Sequence, residues 1–433
     1  MSTFDVQTVR KDFPTLRREF HGKRLVYLDS AATALTPQSV IDAMSDYYEN
    51  HNSNVHRGVY QLAEEATDLF EGGRTRVAQF VDAPFEGTIW TRNATESINL
   101  VAYSYVRNRL GPGDVLLTTQ MEHHANLVPW QQAAEHAGFE IRHASLTSEG
   151  YLDLDAFPSY LEDGRVKFLA VTQMSNVLAT VNDVAALAKM AKDANDDCKV
   201  LVDASQSVPH MRVSFRELGV DFLAFSGHKM CGPTGIGVLV GDPAVLDAMP
   251  PFLTGGEMIR DVTLEGATWN ELPYKFEAGT GPIAEAAGMA AAVDYLENLG
   301  MDAVREHEID MTRQALDALE QVEGVTLHGP RDPSNRGGAI SFVVEGVHPH
   351  DLGTILDGEG VCVRVGHHCA KPLLRSLGVN SSARASFYVY NDADDIGPLI
   401  DGIEAAKAFF GPRPTPAPVT GGPPTVKDEG GPA

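Results

Sequence analysis

Cysteine is scarce in this chain. Only four cysteines occur among the 433 residues, namely Cys198, Cys231, Cys362 and Cys369. No two of them form a Cys-x-x-Cys pair, and so few thiols in so long a chain argue against a disulfide framework. We therefore expect a reducing compartment, in which an exposed cysteine can act as a nucleophile.

Long hydrophobic runs are also missing. The first residues, MSTFDVQTVRKDF, contain no apolar segment of the kind that secretory signals require. Apolar stretches elsewhere, such as Gly235–Gly241 and Ala284–Val293, are too short to span a bilayer. The sequence thus predicts a cytoplasmic protein without a membrane partner, and its length allows one large and one smaller domain.

Basic residues are outnumbered: 34 Lys and Arg stand against 59 Asp and Glu, which gives a formal charge of −25. Nucleic acid and anionic lipid are bound by clustered Lys and Arg that release counterions, so neither is an expected partner. Two explanations of the acidity remain open. One is a solubilising surface, and the other, which we favour, is adaptation to high salt, where self-repulsion is screened.

Short apolar runs alternate with segments of helical periodicity between about residues 25 and 242. The helical segments are Thr95–Asn108, Ala125–Ala137 and Asn182–Ala194. The predicted strands are Thr88–Thr91, Val115–Thr119, Phe168–Thr172, Val200–Asp203, Phe222–Phe225 and Gly237–Val240. This alternation indicates an α/β fold with a mostly parallel sheet and helices on both faces.

The remaining chain predicts a smaller α+β domain. Its strands are Val325–His328, Ala339–Val344, Val361–Val365 and Arg384–Tyr388, and a last helix ends near Phe410. We predict an N-terminal segment (1–24) that packs with the small domain, a large domain (25–295), the small domain (296–410) and a tail (411–433). The tail is rich in Pro and Gly and should be disordered, because it has too few apolar side chains to offset the cost of ordering.

One lysine follows a buried strand directly, in the segment DFLAFSGHKMCGPTGIG (221–237). A lysine at the end of a buried strand carries a desolvation cost, which suggests that its amine has a function. A desolvated amine can form a Schiff base. The alternative is a surface lysine beside a turn. The glycines do not form a P-loop, since Lys229 precedes them and no Gly-Lys-Ser/Thr follows.

A second segment, VLVDASQSVP (200–209), places Asp203 at the carboxyl end of a strand, where ligands of parallel sheets bind. A carboxylate there can pair with a protonated pyridine nitrogen, and Gln206 could donate to a ring hydroxyl. The simpler alternative is that Asp203 is the N-cap of the next helix.

Two further segments carry polar groups after strands. Asn93 and Glu96 have capping-box spacing, so a helix start with free N–H groups and the Thr95 hydroxyl could accept a phosphate. In QMEHHAN (120–126), an imidazole could stack on an aromatic cofactor. Neither this His-His pair nor the one in GHHCA (366–370) has the spacing of a zinc site, so we expect no metal.

In order and spacing, these motifs resemble one family. Asp203-x-x-Gln206 followed by Ser226-Gly-His228-Lys229 is similar to the cofactor grip of fold type I enzymes that use pyridoxal 5′-phosphate (PLP). More narrowly, the chain resembles the SufS-type (group II) cysteine desulfurases from about Phe13 to Phe410. The matching stretches are YLDSAAT, NSNVHRGVY, ATESINL, MEHHAN, SNVLAT, SGHKMCGPTGIG, GGEMI, FEAGT and RVGHHCAKPLL.

The resemblance implies an aspartate aminotransferase-like fold and assigns roles to single residues. Lys229 would bind PLP covalently and later move the Cα proton of the substrate. His123, preferred to His124 because it directly follows Glu122, would stack on the ring, and Asp203 and Gln206 would contact its nitrogen and hydroxyl. The residues expected to hold the phosphate are Thr95, Ser226, His228 and, from the second subunit of a homodimer, Thr280.

The same resemblance implies the reaction. L-cysteine would become L-alanine while its sulfur moves to Cys369 as a persulfide, for iron–sulfur cluster assembly. Asn176, Arg384 and Arg364 would bind the substrate, with Arg384 on its carboxylate. A SufE-like or SufU-like acceptor and a SufBCD-type scaffold are the implied partners.

Alternatives on the same scaffold are selenocysteine lyase and cysteine sulfinate desulfinase, and a non-catalytic assembly component is the alternative from another class. The chain departs from the family at Ala94, which lacks a hydroxyl, at Ala179, where the family has glycine, and at Gly281, where proline is frequent. None of these departures removes a group implied in catalysis.

Overall fold

The computed structural model describes residues 5–410, so the predicted disordered tail (411–433) lies outside the described residues. The strands are β1 (Glu19–Phe20), β2 (Lys23–Arg24), β3 (Val26–Tyr27), β4 (Thr88–Thr91), β5 (Val115–Thr119), β6 (Glu140–Ala144), β7 (Val166–Thr172), β8 (Lys199–Asp203), β9 (Phe222–Ser226), β10 (Gly237–Gly241), β11 (Ile259–Val262), β12 (Ala267–Trp269), β13 (Val325–His328), β14 (Ala339–Val344), β15 (Val361–Cys362), β16 (Arg364–Gly366) and β17 (Ser382–Ser386).

The α-helices are α1 (Val6–Val9), α2 (Gln38–Asp46), α3 (Gln61–Phe80), α4 (Ala94–Val101), α5 (Arg107–Arg109), α6 (Val128–Ala137), α7 (Val184–Ala194), α8 (Phe215–Leu218), α9 (Pro243–Asp247), α10 (Ile283–Leu299), α11 (Met301–Glu320), α12 (Pro349–Gly358), α13 (Lys371–Ser376) and α14 (Ile396–Phe410). Within residues 5–410, none of them combines the length and apolar character needed to cross a membrane.

The large sheet has seven strands in the order β4-β10-β9-β8-β7-β5-β6. Strands β5 to β9 pair in parallel, whereas β10 runs antiparallel to both β9 and β4. The prediction of a mostly parallel sheet is therefore confirmed. Strand β10 reverses direction because residues 227–236 form a compact turn without the long crossover helix that a parallel connection requires.

Both faces of this sheet are buried. Along β8, Val200 and Val202 pack into the core on one face, and Leu201 packs into the core on the other. Neighbouring strands alternate in the same way, which explains why they appear in the sequence as continuous apolar runs. The edge strand β6 escaped prediction because its sequence, EIRHA, is mixed and partly exposed.

The second sheet is antiparallel, in the order β13-β14-β17-β16. Strand β15 lies apart from it and pairs with β3, so residues from both ends of the chain meet here. The N-terminal segment is held by Arg10, which donates to the Tyr390 carbonyl oxygen and pairs with Asp395. The predicted strand 361–365 is broken at Val363. The domain boundaries proposed from sequence stay predictions.

A buried arginine joins α3 to the segment that carries Thr280. Arg74 is fully buried and donates to the Thr88 carbonyl oxygen at 2.9 Å and to both carboxylate oxygens of Glu277. Burial alone would lower the pKa of Arg74, but the carboxylates of Glu277 and Glu71 outweigh it and raise that pKa. The guanidinium therefore remains charged in the core.

Replacement of this arginine should destabilise the fold strongly. In Arg74→Met the half-buried Glu277 carboxylate loses its guanidinium partner and keeps the N–H of Trp90 as a donor, which costs about 3 kcal/mol of unfolding free energy. The control is Arg76→Met on the same helix, because Arg76 makes partly exposed ion pairs with Asp294 and Glu297 and should cost less than about 1 kcal/mol. Urea unfolding would compare the two, and equal losses would contradict a special role for Arg74.

Candidate active site

A cavity of about 740 Å³ opens at the carboxyl ends of β7, β8 and β9. Eleven of the twelve site residues predicted from sequence line it: Thr95, His123, Asn176, Asp203, Gln206, Ser226, His228, Lys229, Arg364, Cys369 and Arg384. Thr280 does not, and instead lines a separate cavity of about 240 Å³ between residues 54–57 and 270–281. Their individual roles stay predictions.

Strand register brings the central groups together. Thr172, Asp203 and Ala224 lie side by side on β7, β8 and β9, so Asp203 ends its strand beside the end of β9. A single turn of 3₁₀ helix then carries the chain from Ser226 to Lys229. The side chains that follow parallel strands consequently share one edge of the sheet.

One end of the cavity is a helix start. The Asn93 side chain caps α4 by accepting from the Glu96 N–H at 3.0 Å, and the Ser226 hydroxyl accepts from the Ala94 N–H at 2.9 Å. The start of β10 lies directly against this turn, and a Cβ on Gly237 would come within 2.4 Å of Asn93 Cα. Glycine at that position is therefore what lets the helix start approach Ser226.

Two opposing effects act on the pKa of the Lys229 amine. Burial lowers the pKa of Lys229, and the nearby carboxylate of Asp203 opposes that shift. Asp203 is itself buried and accepts from the Ser205 N–H at 3.0 Å, while Gln206 donates to the Ala31 carbonyl oxygen at 2.7 Å. A neutral amine is the form that attacks a carbonyl carbon.

The two imidazoles beside the lysine are held in their neutral form. Burial, together with the charge of Lys229, lowers the pKa of His123 to about 4 and that of His228 to about 4. The Nδ1 atom of His123 accepts from the Ala125 N–H at 3.0 Å, so its proton is on Nε2. His123 lines the cavity and His124 does not, and the choice of His123 as the ring-stacking imidazole stays a prediction.

A guanidinium on β17 faces the cavity from the second sheet. Arg384 is buried and donates to the Asn176 carbonyl oxygen at 2.8 Å and to Asp29 Oδ1 at 3.3 Å. Among residues 5–410, its Nε and the Oδ1 of Asn176 have no hydrogen-bond partner. Both atoms are shielded from solvent, and buried polar atoms without partners are costly.

Cys369 lies at the mouth of the same cavity and is exposed. It and His368 both have left-handed backbone conformations, with φ of 53° and 50°. The Asn176 amide donates to the His368 carbonyl oxygen at 2.7 Å and thereby ties this loop to the large sheet. The thiol is thus presented on the surface next to the lysine and the arginine.

The segment YLDSAAT (27–33), which the sequence indicated only as a family signature, also contributes contacts to the site. Asp29 pairs with Arg384 and Arg364, and burial raises its pKa. The Thr33 hydroxyl donates to the His228 carbonyl oxygen at 3.1 Å. The sequence feature that could have identified Asp29 is its position two residues after a short apolar strand, because a buried charge requires a partner.

Glu122 is a second such residue, because in the sequence it served only to distinguish His123 from His124. It is buried, and burial raises its pKa to about 8, although hydrogen bonds from Thr119 and Asn126 oppose that shift. The structure explains one of two departures from the family pattern. A Cβ on Gly281 would lie 2.9 Å from the Phe70 ring, so glycine fits there, whereas Ala179 adopts φ of 58°, a conformation that favours the family's glycine over alanine.

The donor set fits PLP. A buried carboxylate suits the protonated ring nitrogen, a desolvated lysine amine suits the aldehyde, and hydroxyls beside a helix start suit the phosphate. Together with the sheet topology, these groups define a fold type I PLP enzyme of the aminotransferase-like class.

Comparisons with known proteins agree. The family model of class-V aminotransferases matches residues 26–399, and the chain belongs to that family. The cysteine desulfurase of Haloferax volcanii is 47% identical over 420 residues, covering 94% of this chain and 98% of the relative. A probable cysteine desulfurase of Halalkalibacterium halodurans is 48% identical over 404 residues, covering 93% and 98%.

Solved structures extend the similarity. The cysteine desulfurase CsdA of Escherichia coli, in an S-sulfonic acid form, matches with a TM-score of 0.87 at 38% identity, covering 94% of this chain and 99% of that one. The apo cysteine desulfurase of Thermococcus onnurineus matches with a TM-score of 0.89 at 39% identity, covering 94% and 100%.

Borohydride reduction in the presence of PLP should attach the cofactor irreversibly to Lys229, because among the amines of residues 5–410 only that one is both desolvated and inside the cavity. Peptide mass spectrometry would locate the adduct, and Lys229→Ala should lose it. Lys275 is the matched control, since it is also buried with a lowered pKa but donates to the Leu246 and Asp247 carbonyl oxygens instead. An adduct that survives Lys229→Ala, or that moves to Lys275, would contradict the assignment.

Proposed function

We propose that this chain is a PLP-dependent cysteine desulfurase of the SufS type that converts L-cysteine to L-alanine and holds the sulfur on Cys369. The observation that carries the proposal is the placement of three groups around one cavity. The cavity is lined by a desolvated lysine, by a buried guanidinium whose Nε has no hydrogen-bond partner among residues 5–410, and by an exposed thiol. Such an arrangement suits an amino acid whose own side chain ends in sulfur.

Arg384 and Asn176 are proposed to orient the substrate. The guanidinium would bind the carboxylate through Nε and a terminal nitrogen, and Asn176 Oδ1 would accept from the amine. Both protein groups are already fixed by Asp29 and by the loop of Cys369. Little side-chain entropy remains to be lost on binding, which favours tight orientation.

Lys229 is proposed to move the proton. When bound, PLP withdraws electrons from the substrate Cα and makes its proton acidic. The amine of Lys229, whose pKa is lowered by burial, would take that proton in its unprotonated form. The same group can return a proton to carbon after sulfur has left.

Sulfur transfer is proposed for Cys369. Its thiolate attacks the substrate sulfur, so an S–S bond forms while the substrate C–S bond breaks and its electron pair passes to carbon. After protonation the carbon product is alanine, and the protein carries a persulfide. Because Cys369 is exposed, the persulfide is open to a second protein.

The physiological setting is part of the proposal. A SufE-like or SufU-like acceptor would take the persulfide in the cytoplasm and pass it to a SufBCD-type scaffold for iron–sulfur clusters. We also propose a homodimer in which Thr280 of a second copy completes the phosphate site. The separate cavity that Thr280 lines, away from Lys229 of its own chain, supports that arrangement.

Loss of the thiol should stop turnover of L-cysteine. We expect Cys369→Ala to form alanine at least about 100-fold more slowly while keeping its absorbance with PLP, because the sulfur then lacks its nucleophile. Cys362→Ala is the control, since Cys362 is half-buried seven positions earlier, and burial raises its pKa. An undiminished rate in Cys369→Ala would remove this residue from the reaction.

A further inference from the structure

We propose that His124 is a positioning residue whose imidazole holds the Cys369 loop, residues 366–371, in the conformation that presents the thiol to the cavity. His124 does not line the cavity and takes no part in the chemistry proposed above. The inference rests on the proposed function of Cys369 and extends it to the group that places it.

The Cys369 loop needs an external anchor. His368 and Cys369 both lie in the left-handed region, which is unfavourable for residues that carry a Cβ. Two such residues in succession persist only if surrounding contacts hold them. Helix α13 begins directly afterwards at Lys371, and none of its own neighbouring side chains caps its start.

His124 supplies two of these contacts. Its backbone N–H donates to the Cys369 carbonyl oxygen at 2.7 Å, and its Nε2 accepts from the Lys371 N–H at 3.1 Å. The second bond satisfies the first N–H of α13, which would otherwise lack a partner within the helix. A single residue of the large sheet region therefore grips the loop on both sides of Ala370.

A neighbouring imidazole completes the contact. The rings of His124 and His367 lie 5.7 Å apart, and His367 Nδ1 accepts from the Cys369 N–H at 3.3 Å. On the other side, the ring of His123 lies 6.3 Å from that of His124. The titratable groups that face His124 are thus His123 on its own segment and His367, Cys369 and Lys371 on the loop.

The bond to Lys371 requires neutral His124, because a protonated Nε2 would point one N–H at another. Burial, followed by the charges of His367 and Lys371, lowers the pKa of His124. A group whose pKa is lowered in the ordered state stabilises that state above its ordinary pKa and ceases to do so as the pH falls. The loop should therefore be anchored at neutral pH and loosen in acid.

The test combines amide exchange with kinetics in the full-length protein. Hydrogen–deuterium exchange at the Lys371 amide should be roughly fivefold to tenfold faster in His124→Ala, because the side-chain acceptor is gone. His124→Gln should restore slow exchange, since its amide oxygen can occupy the position of Nε2. His136→Gln, an exposed position on α6, should leave exchange unchanged.

Lowering the pH distinguishes the His124 imidazole, which can be protonated, from the amide of His124→Gln, which cannot. Between pH about 8 and about 5, the Lys371 amide of the wild type should lose protection relative to His124→Gln, which does not titrate in that range. Persulfide formation on Cys369 in a single turnover should slow roughly tenfold or more in His124→Ala. The KM for L-cysteine should change less than about twofold, because Arg384 and Asn176 are untouched.

Three results would overturn the inference. Unchanged exchange at Lys371 in His124→Ala would show that the imidazole does not hold the loop. Equally fast exchange in His124→Gln would show that the acceptor is not what matters. Altered exchange with an unchanged persulfide rate would show that the anchor does not position the thiol. If the wild type itself forms no persulfide, the proposed function fails instead, and the exchange results still decide the anchor.

Discussion

The shared edge of three parallel strands is the constraint on which this site depends. Register sets Thr172, Asp203 and Ala224 side by side, so the segments that follow β7, β8 and β9 must emerge together. Asp203 and Lys229 line the same cavity there although they are 26 positions apart in the chain. Their buried surroundings lower the pKa of the lysine and suit an electron-withdrawing ring.

The second region of the chain contributes an arginine and a cysteine to the cavity at the sheet edge. Arg384 reaches the cavity from β17, and the loop after β16 carries Cys369 to its mouth. Hydrogen bonds from Asn176 and His124 to consecutive carbonyl oxygens of that loop fix where the thiol stands. The two regions therefore form one site only because these contacts cross between them.

Sequence alone predicted most of the large sheet, since buried parallel strands appear as uninterrupted apolar runs. The sequence also indicated Lys229 and Asp203 as site residues, because a charged residue at the end of a buried apolar run is costly unless it has a partner or a function. Strand β10 was predicted from its apolar run, but nothing in the sequence indicated its reversed direction, and the mixed edge strand β6 was not predicted. The pairing of Asp29 with Arg384 and the grip of His124 on Lys371 join residues about 250 positions or more apart, and periodicity reports only local geometry.

The central claim is that sulfur from L-cysteine rests on Cys369 before it leaves the protein. The most direct test is one turnover with sulfur-labelled L-cysteine, rapid alkylation, and peptide mass spectrometry of all four cysteine-containing peptides. The account predicts that the label appears on the peptide of Cys369, in step with alanine formation. Alanine formed without label on that peptide, or with label on Cys231, Cys198 or Cys362, would contradict it.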